Sequence, residues 1–149
     1  MHNADLNGDC RADIVGRQAD GTLAAWLMNG TTMSAGSTIL AAGSGWTIAR
    51  TGDFNGDGKA DFLFQHTDGR AAIWLMNGLA ASATQQILNA GGGWSAARLA
   101  DLNGDGKADI VWANTNGTTA VWLMSGTTVV GGGTLIGAGS PWSVSTVSQ

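Results

Sequence analysis

The sequence predicts an all-β fold, a β-propeller of four-stranded antiparallel blades, on three observations. A 48-residue unit recurs three times without gaps, hairpin turn signals recur at fixed places inside it, and helix formers are scarce beside 24 glycines. The repeat is read from the tryptophans. Trp26, Trp74 and Trp122 stand 48 residues apart, and so do Trp46, Trp94 and Trp142. Asp5, Asp53 and Asp101 keep the same interval and divide one propeller segment, 1–149, into units 5–52, 53–100 and 101–148. A β-solenoid or an open sandwich is the alternative, but their repeats are usually shorter or less regular.

Each element follows from the punctuation of the unit. In the middle unit an apolar stretch, 60–65, runs to Asp68-Gly69, and a second, 71–76, runs to Asn77-Gly78. Asp-Gly and Asn-Gly between apolar runs signal hairpins, because glycine and asparagine tolerate the positive φ that tight turns require. A third run covers 85–88, and after a glycine-rich break a fourth covers 94–99. The run before the second turn, Ala71-Ala72-Ile73-Trp74-Leu75-Met76, is apolar on both faces, which suits a sheet covered on both sides.

Composition narrows the function. The chain has 149 residues, enough for one well-buried domain, with 44% hydrophobic and 12% charged residues. All eleven acidic residues are Asp; against seven Lys and Arg they leave a formal charge of −4, which disfavours a nucleic-acid partner. No apolar run approaches the roughly 18 residues of a membrane span, so no membrane insertion is expected. A lone Cys10 cannot form an intrachain disulfide.

Three blades do not close a ring, because the smallest propellers have about four. The fourth-type strand occurs at 46–52, 94–100 and 142–148, but only four residues precede the first acidic loop. The strand is thus surplus at one end and wanting at the other. The expectation is that 142–148 completes the blade begun by Asp13–Arg17 of a second copy. A homodimer of six blades is favoured over a homotrimer of nine, and excision from a longer propeller gives the same pattern.

The chemistry sits in three acidic loops, DLNGDCRAD (5–13), DFNGDGKAD (53–61) and DLNGDGKAD (101–109). Nine of the eleven aspartates lie there, three per loop, where carboxylates repel one another unless a cation joins them. Side-chain oxygens fall at loop positions one, three, five and nine, and position seven offers a carbonyl. The candidate ligands are Asp5, Asn7, Asp9, Arg11 and Asp13 in the first loop. They are Asp53, Asn55, Asp57, Lys59 and Asp61 in the second, and Asp101, Asn103, Asp105, Lys107 and Asp109 in the third. Calcium takes six to eight such hard oxygens in a flexible cage, whereas magnesium demands a stricter octahedron. An EF-hand loop starts alike but needs a carboxylate at position twelve, where this chain has Gly16, Phe64 and Trp112. Up to three Ca²⁺ per chain are expected. The first site should be weakest, since Cys10 replaces the glycine of position six. The bland reading, plain Asx turns, leaves the aspartate clustering unexplained.

Loops of this kind in a four-strand unit resemble the FG-GAP/VCBS repeat, the calcium-loop blade also seen in integrin α propellers. The resemblance implies that the loop joins a blade's first strand to its second and that its calcium is structural. The WLMNG and WLMSG strings resemble a bacterial subgroup, which implies a secreted or cell-surface protein.

The other residues point away from catalysis. His2 and His66 have no repeat counterparts and no evident acid partner, and Cys10 has no base. Trp26, Trp74 and Trp122 are read as packing between blades, and Trp112 as local packing. Trp46, Trp94 and Trp142 follow glycine-rich breaks and are candidate stacking platforms for a glycan or peptide ligand, with packing the rival reading. Arg50 and Arg98 share a repeat position as weaker ligand candidates. The expected function is a non-catalytic calcium-binding module for lectin-like or adhesive recognition; a purely structural, self-assembling propeller segment is the alternative.

Overall fold

The computed structural model describes residues 4–144, which hold three antiparallel sheets and no helix. β1 (Ile14–Arg17), β2 (Leu23–Asn29) and β3 (Thr32–Leu40) form the first. β4 (Trp46–Gly52), β5 (Asp61–His66), β6 (Ala71–Asn77) and β7 (Ala80–Leu88) form the second. β8 (Trp94–Ala100), β9 (Asp109–Asn114), β10 (Thr119–Ser125) and β11 (Thr128–Ile136) form the third. Strand order within each sheet is chain order. The strand beginning at Trp46 pairs forward, Gly52 with Asp61, so each four-stranded sheet crosses the boundary between sequence units. The acidic loop therefore joins a sheet's first strand to its second, as the family resemblance implies.

The turns explain the registers. At the first hairpin the Gly69 amide donates to His66 O (3.0 Å) and the His66 amide to Arg70 O (2.8 Å), with Gly69 at φ 99°. That is a type I turn closed by a left-handed glycine. The second hairpin differs from the expectation. Asn77 is the last strand residue, paired with Ala80, and the turn is centred on Gly78-Leu79 with only Gly78 at positive φ. The third strand consequently starts at Ala80, five residues before the expected Gln85. Its extra length is taken up by register shifts, one between Leu75 and Met76, where Ser82 is left unpaired and donates its hydroxyl to Leu75 O (3.1 Å).

The first sheet has three strands, and β1 is its edge. Of the expected fourth-type strand at 142–148, residues 142–144 are not in a strand and the remainder lies outside the described residues.

Two apolar cores lie between successive sheets and match position for position. Leu6, Leu23, Ala25, Phe62, Phe64 and Met76 form one. Phe54, Ala71, Ile73, Ile110, Trp112 and Met124, each 48 residues on, belong to the other. Trp74 and Trp122 lie at the margins of these cores rather than in their centres. Each turns an edge to the residue beside it on its own sheet: Trp74 meets Phe64 at 5.0 Å and Trp122 meets Trp112 at 5.3 Å. In the first sheet Gly16 takes the place of the second ring. A Cβ there would come within 2.6 Å of Trp26, so the glycine makes room for it.

Trp112 is 1% exposed, and its indole N–H has no partner among the described residues. Trp112→Phe, which installs the ring present at position 64, removes that unsatisfied donor and offsets the lost area. We expect it to change stability by less than about 1.5 kcal/mol, while Trp112→Ala costs about 3–5 kcal/mol, both read by urea unfolding.

Candidate metal centre

The three loops adopt one backbone form. Positions four and six both have positive φ: 77° and 83° at Gly56 and Gly58, 77° and 82° at Gly104 and Gly106. In the first loop Gly8 has φ 77° and Cys10 66°, the only non-glycine residue with positive φ among the described residues. The requirement for glycine at position six, read from the sequence, is thus met twice and strained once. Position four carries the same requirement, signalled by its glycine in all three loops.

The aspartate of position one gathers amides. In the second loop Asp53 Oδ1 accepts from the Gly56 (2.7 Å) and Asp57 (3.2 Å) amides, and Oδ2 accepts from Gly58 (2.8 Å). Asp5 and Asp101 repeat this set. The Gly106 amide foremost holds the Asp101 carboxyl below its ordinary range.

Position nine works as a clasp. Asp61, wholly buried, accepts the Phe54 amide on Oδ2 (2.9 Å) and the Met76 amide on Oδ1 (2.8 Å). Asp13 holds Leu6 and Met28 in the same way, and Asp109 holds Leu102 and Met124. Burial pushes the Asp61 carboxyl up to about 6 against the pull of the Met76 and Phe54 amides, and the charges of Asp57 and Asp53 push it further.

Positions three, five and seven form the exposed side. Asp57 accepts the Lys59 amide on Oδ1 (2.9 Å) and the Asn55 amide group on Oδ2 (3.3 Å), and Asn55 Oδ1 accepts the Asp57 amide (3.2 Å). Asn7, Asp9 and Arg11 make the same contacts, as do Asn103, Asp105 and Lys107. The position-seven side chains turn outward: Lys59 Nζ donates to Asn77 Oδ1 (2.9 Å), Lys107 Nζ to Ser125 Oγ (3.1 Å), and Arg11 pairs with Asp9. All three loops line one open cleft of about 490 Å³, with Cys10, Lys59 and Lys107 on its walls.

The donor set fits calcium in kind: three carboxylates, an amide oxygen and a carbonyl in each loop. No three carboxylate, histidine or cysteine groups converge on one point among the described residues. The amides hold the carboxylates in place: Asp53 Oδ1 already accepts two, whereas Asp53 Oδ2 and both oxygens of Asp61 each accept one and keep a lone pair. An ion would add to these contacts rather than replace them.

The model of the FG-GAP-like repeat matches residues 5–64 and again residues 53–112. The chain belongs to the FG-GAP-like repeat family. Each matched span runs from one acidic loop through the next and holds the four strand segments between them, the last of which belongs to the following sheet in the spatial pairing. No curated protein and no solved structure matches the chain.

Among these FG-GAP-like repeats the candidate platform tryptophans are not equivalent. Trp46 meets His66 edge-on at 5.0 Å and has the Arg70 guanidinium 5.2 Å from its ring centre. His66 has an acid neighbour after all: Asp68 Oδ1 lies 2.9 Å from Nδ1, and Arg70 Nε bonds the same carboxylate at 2.8 Å. The spacing His66, Asp68, Arg70 across a hairpin was the signal for this cluster. The sequence reading missed it because the other units have no counterpart. A cleft of about 270 Å³ beside Trp46 is lined by Arg17, Asp20 and Thr67. Trp94 is half-buried against the second core, and Trp142 is 75% exposed. Arg50 is no free ligand group; its guanidinium donates to Ala49 O and, across to the third sheet, Ala97 O (2.8 Å).

Cys10→Gly removes a left-handed non-glycine residue and is expected to stabilise the metal-free chain by about 1 kcal/mol in urea unfolding, after the entropy lost to glycine. In metal-free protein the Asp61 carboxyl carbon is expected to titrate near pH 6 by NMR. Because the folded value is raised, Asp61 contributes stability that is present below the ordinary carboxylate range. That contribution is lost as pH rises through about 6.

Proposed function

We propose that the chain is a non-catalytic, calcium-binding β-propeller module. The three sheets are its blades, and each acidic loop holds one structural Ca²⁺. The observation that carries this reading is the repetition of one loop geometry, with the same oxygen donors, between the first and second strands of the second and third sheets and ahead of the first. Asp53, Asn55, Asp57, the Lys59 carbonyl and Asp61 hold the second ion, and the residues 48 before and after them hold the others. The ion supplies positive charge where Asp53, Asp57 and Asp61 repel one another. The chain's own groups set the loop, bury its position-nine carboxylate and seat it against the next sheet. The bacterial FG-GAP/VCBS likeness supports secretion or surface display, where calcium is plentiful.

Ligand recognition is placed at the Trp46 cleft, where Arg17, Asp20 and Thr67 offer polar groups beside an aromatic ring. A glycan or a short polar peptide suits that mixture. A structural role without a ligand is the alternative, and a glycan array with wild type and Trp46→Ala separates the two.

The metal reading is tested by calorimetry and thermal unfolding. Calcium is expected to bind at up to three sites, the first weakest, and EDTA to lower the melting temperature. Asp57→Ala, which spares the buried clasp, is expected to remove one site. An unchanged melting temperature in EDTA, with no heat of binding, overturns the reading.

A further inference from the structure

We propose that a second copy of this chain docks head-to-tail against it, its first sheet taking the place of a fourth sheet after β11. The proposal rests on the reading of the sheets as blades, but not on calcium.

The two junctions inside the chain are built alike. At the first, Asp5 O accepts the Ala60 amide (2.7 Å) and Leu6 O accepts the Gly78 amide (2.8 Å). At the second, Asp53 O accepts from Ala108 (2.7 Å) and Phe54 O from Gly126 (2.8 Å). Leu6 and Phe54, at loop position two, are both fully buried by the sheet they reach. A third junction of this kind would use Asp101 O and Leu102 O as acceptors, and the Ala12 and Gly30 amides as donors. Those acceptors lie at one end of the chain and those donors at the other. None of the four groups has a hydrogen bond to another described residue.

The apolar groups agree. Leu102 is 46% exposed where its counterparts Leu6 and Phe54 are buried. Ile14 is 49% exposed where Phe62 and Ile110 are buried. The loops agree as well: a Cβ on Gly8 would meet Lys59 Cγ at 3.3 Å and one on Gly56 would meet Lys107 Cγ at 3.5 Å, while Gly104 has nothing within 4 Å. Its missing neighbour is the residue 48 before Lys59, which is Arg11. The third and first sheets therefore present the two halves of an interface that these residues already make twice, and the first sheet of a second copy supplies the half that the third sheet lacks. The contact is heterologous, so two or three copies close into a ring that leaves neither end bare. The free edge of the docked copy's β1 lies at the same junction.

The test is the mass of the 149-residue chain by light scattering, in calcium and in EDTA, at micromolar concentration. A closed assembly of two or three copies is expected. Leu102→Asp and Ile14→Asp should each run as monomers with an unchanged far-UV circular dichroism spectrum, because both side chains are half exposed in the single chain. Val130→Asp, 59% exposed on β11, should leave the assembly intact. Mixing Leu102→Asp with Ile14→Asp restores one wild-type junction per pair and should give dimers, which a face-to-face contact would not. A monomeric wild type, or a mixture that stays monomeric, overturns the proposal. Assembly that persists in EDTA supports the junction independently of calcium, and the metal reading stands or falls by its own calorimetry.

Discussion

A buried carboxylate at the end of each acidic loop holds the rest together. Asp61 carries two backbone amides, Phe54 from the start of its loop and Met76 from the third strand of its sheet. No neutral side chain of that size accepts both with charge-assisted strength, and leaving either amide unpaired in the core costs about 1–3 kcal/mol. The two bonds tie the first strand's exit to the sheet's second hairpin through an aspartate 7 residues from Phe54 and 15 from Met76. They also aim residue 54. Once its amide is fixed on Asp61, its carbonyl faces the next sheet's turn and its ring enters the next core.

That geometry makes the structure propagate. The loop of one sheet ends up as part of the wall of the following one, through two main-chain carbonyls and one apolar side chain. Neighbouring sheets are therefore joined by directional bonds as well as by apolar area, and the angle between them is reproduced wherever the loop is reproduced. Stability in such a stack is a sum of sheet terms and junction terms between nearest neighbours. Sheets inside the series have both junctions, and the outer two have one each. The exposures of Ile14 and Leu102 are the direct expression of that difference.

Much of this was legible in the residues. The 48-residue interval, the four runs per unit and the glycine of loop position six all reflect local constraints, and a local constraint leaves its mark at a fixed place in every repeat. The start of β7 was not legible. Ala80, Ala81, Ser82 and Ala83 have no strong strand preference, and they are extended because Gly78-Leu79 turns the chain directly back onto β6. The role of Asp61 was half legible. Its place among metal-type donors could be read, but its two amide partners come from Phe54 and Met76, whose backbone groups carry no signature in the sequence. The contact of His66 with Asp68, Arg70 and Trp46 was hidden for a different reason. Reasoning by repeat weighs what recurs, and this cluster occurs once.

The amide network also bears on what an ion can do. With Asp53 holding three backbone amides and Asp61 holding two, the loop's shape is determined by hydrogen bonds already present. A cation of the kind proposed would meet a loop already wound and spend little binding energy on ordering it. What it would change is the charge. Asp61 lies in the core with Asp53 and Asp57 near enough to raise its proton affinity, and without an ion that repulsion is relieved by protonation. An ion bound there would compete with that proton for the same carboxylate, so the proposed metal binding would be linked to proton release. The first loop shows how far the arrangement tolerates drift: Cys10 accepts a left-handed backbone, and Asp5 still collects all three amides. The hydrogen-bonded frame therefore bears the strain of the substitution. The fold asks of position six only that its amide reach Asp5, and glycine is the residue that meets this at least cost.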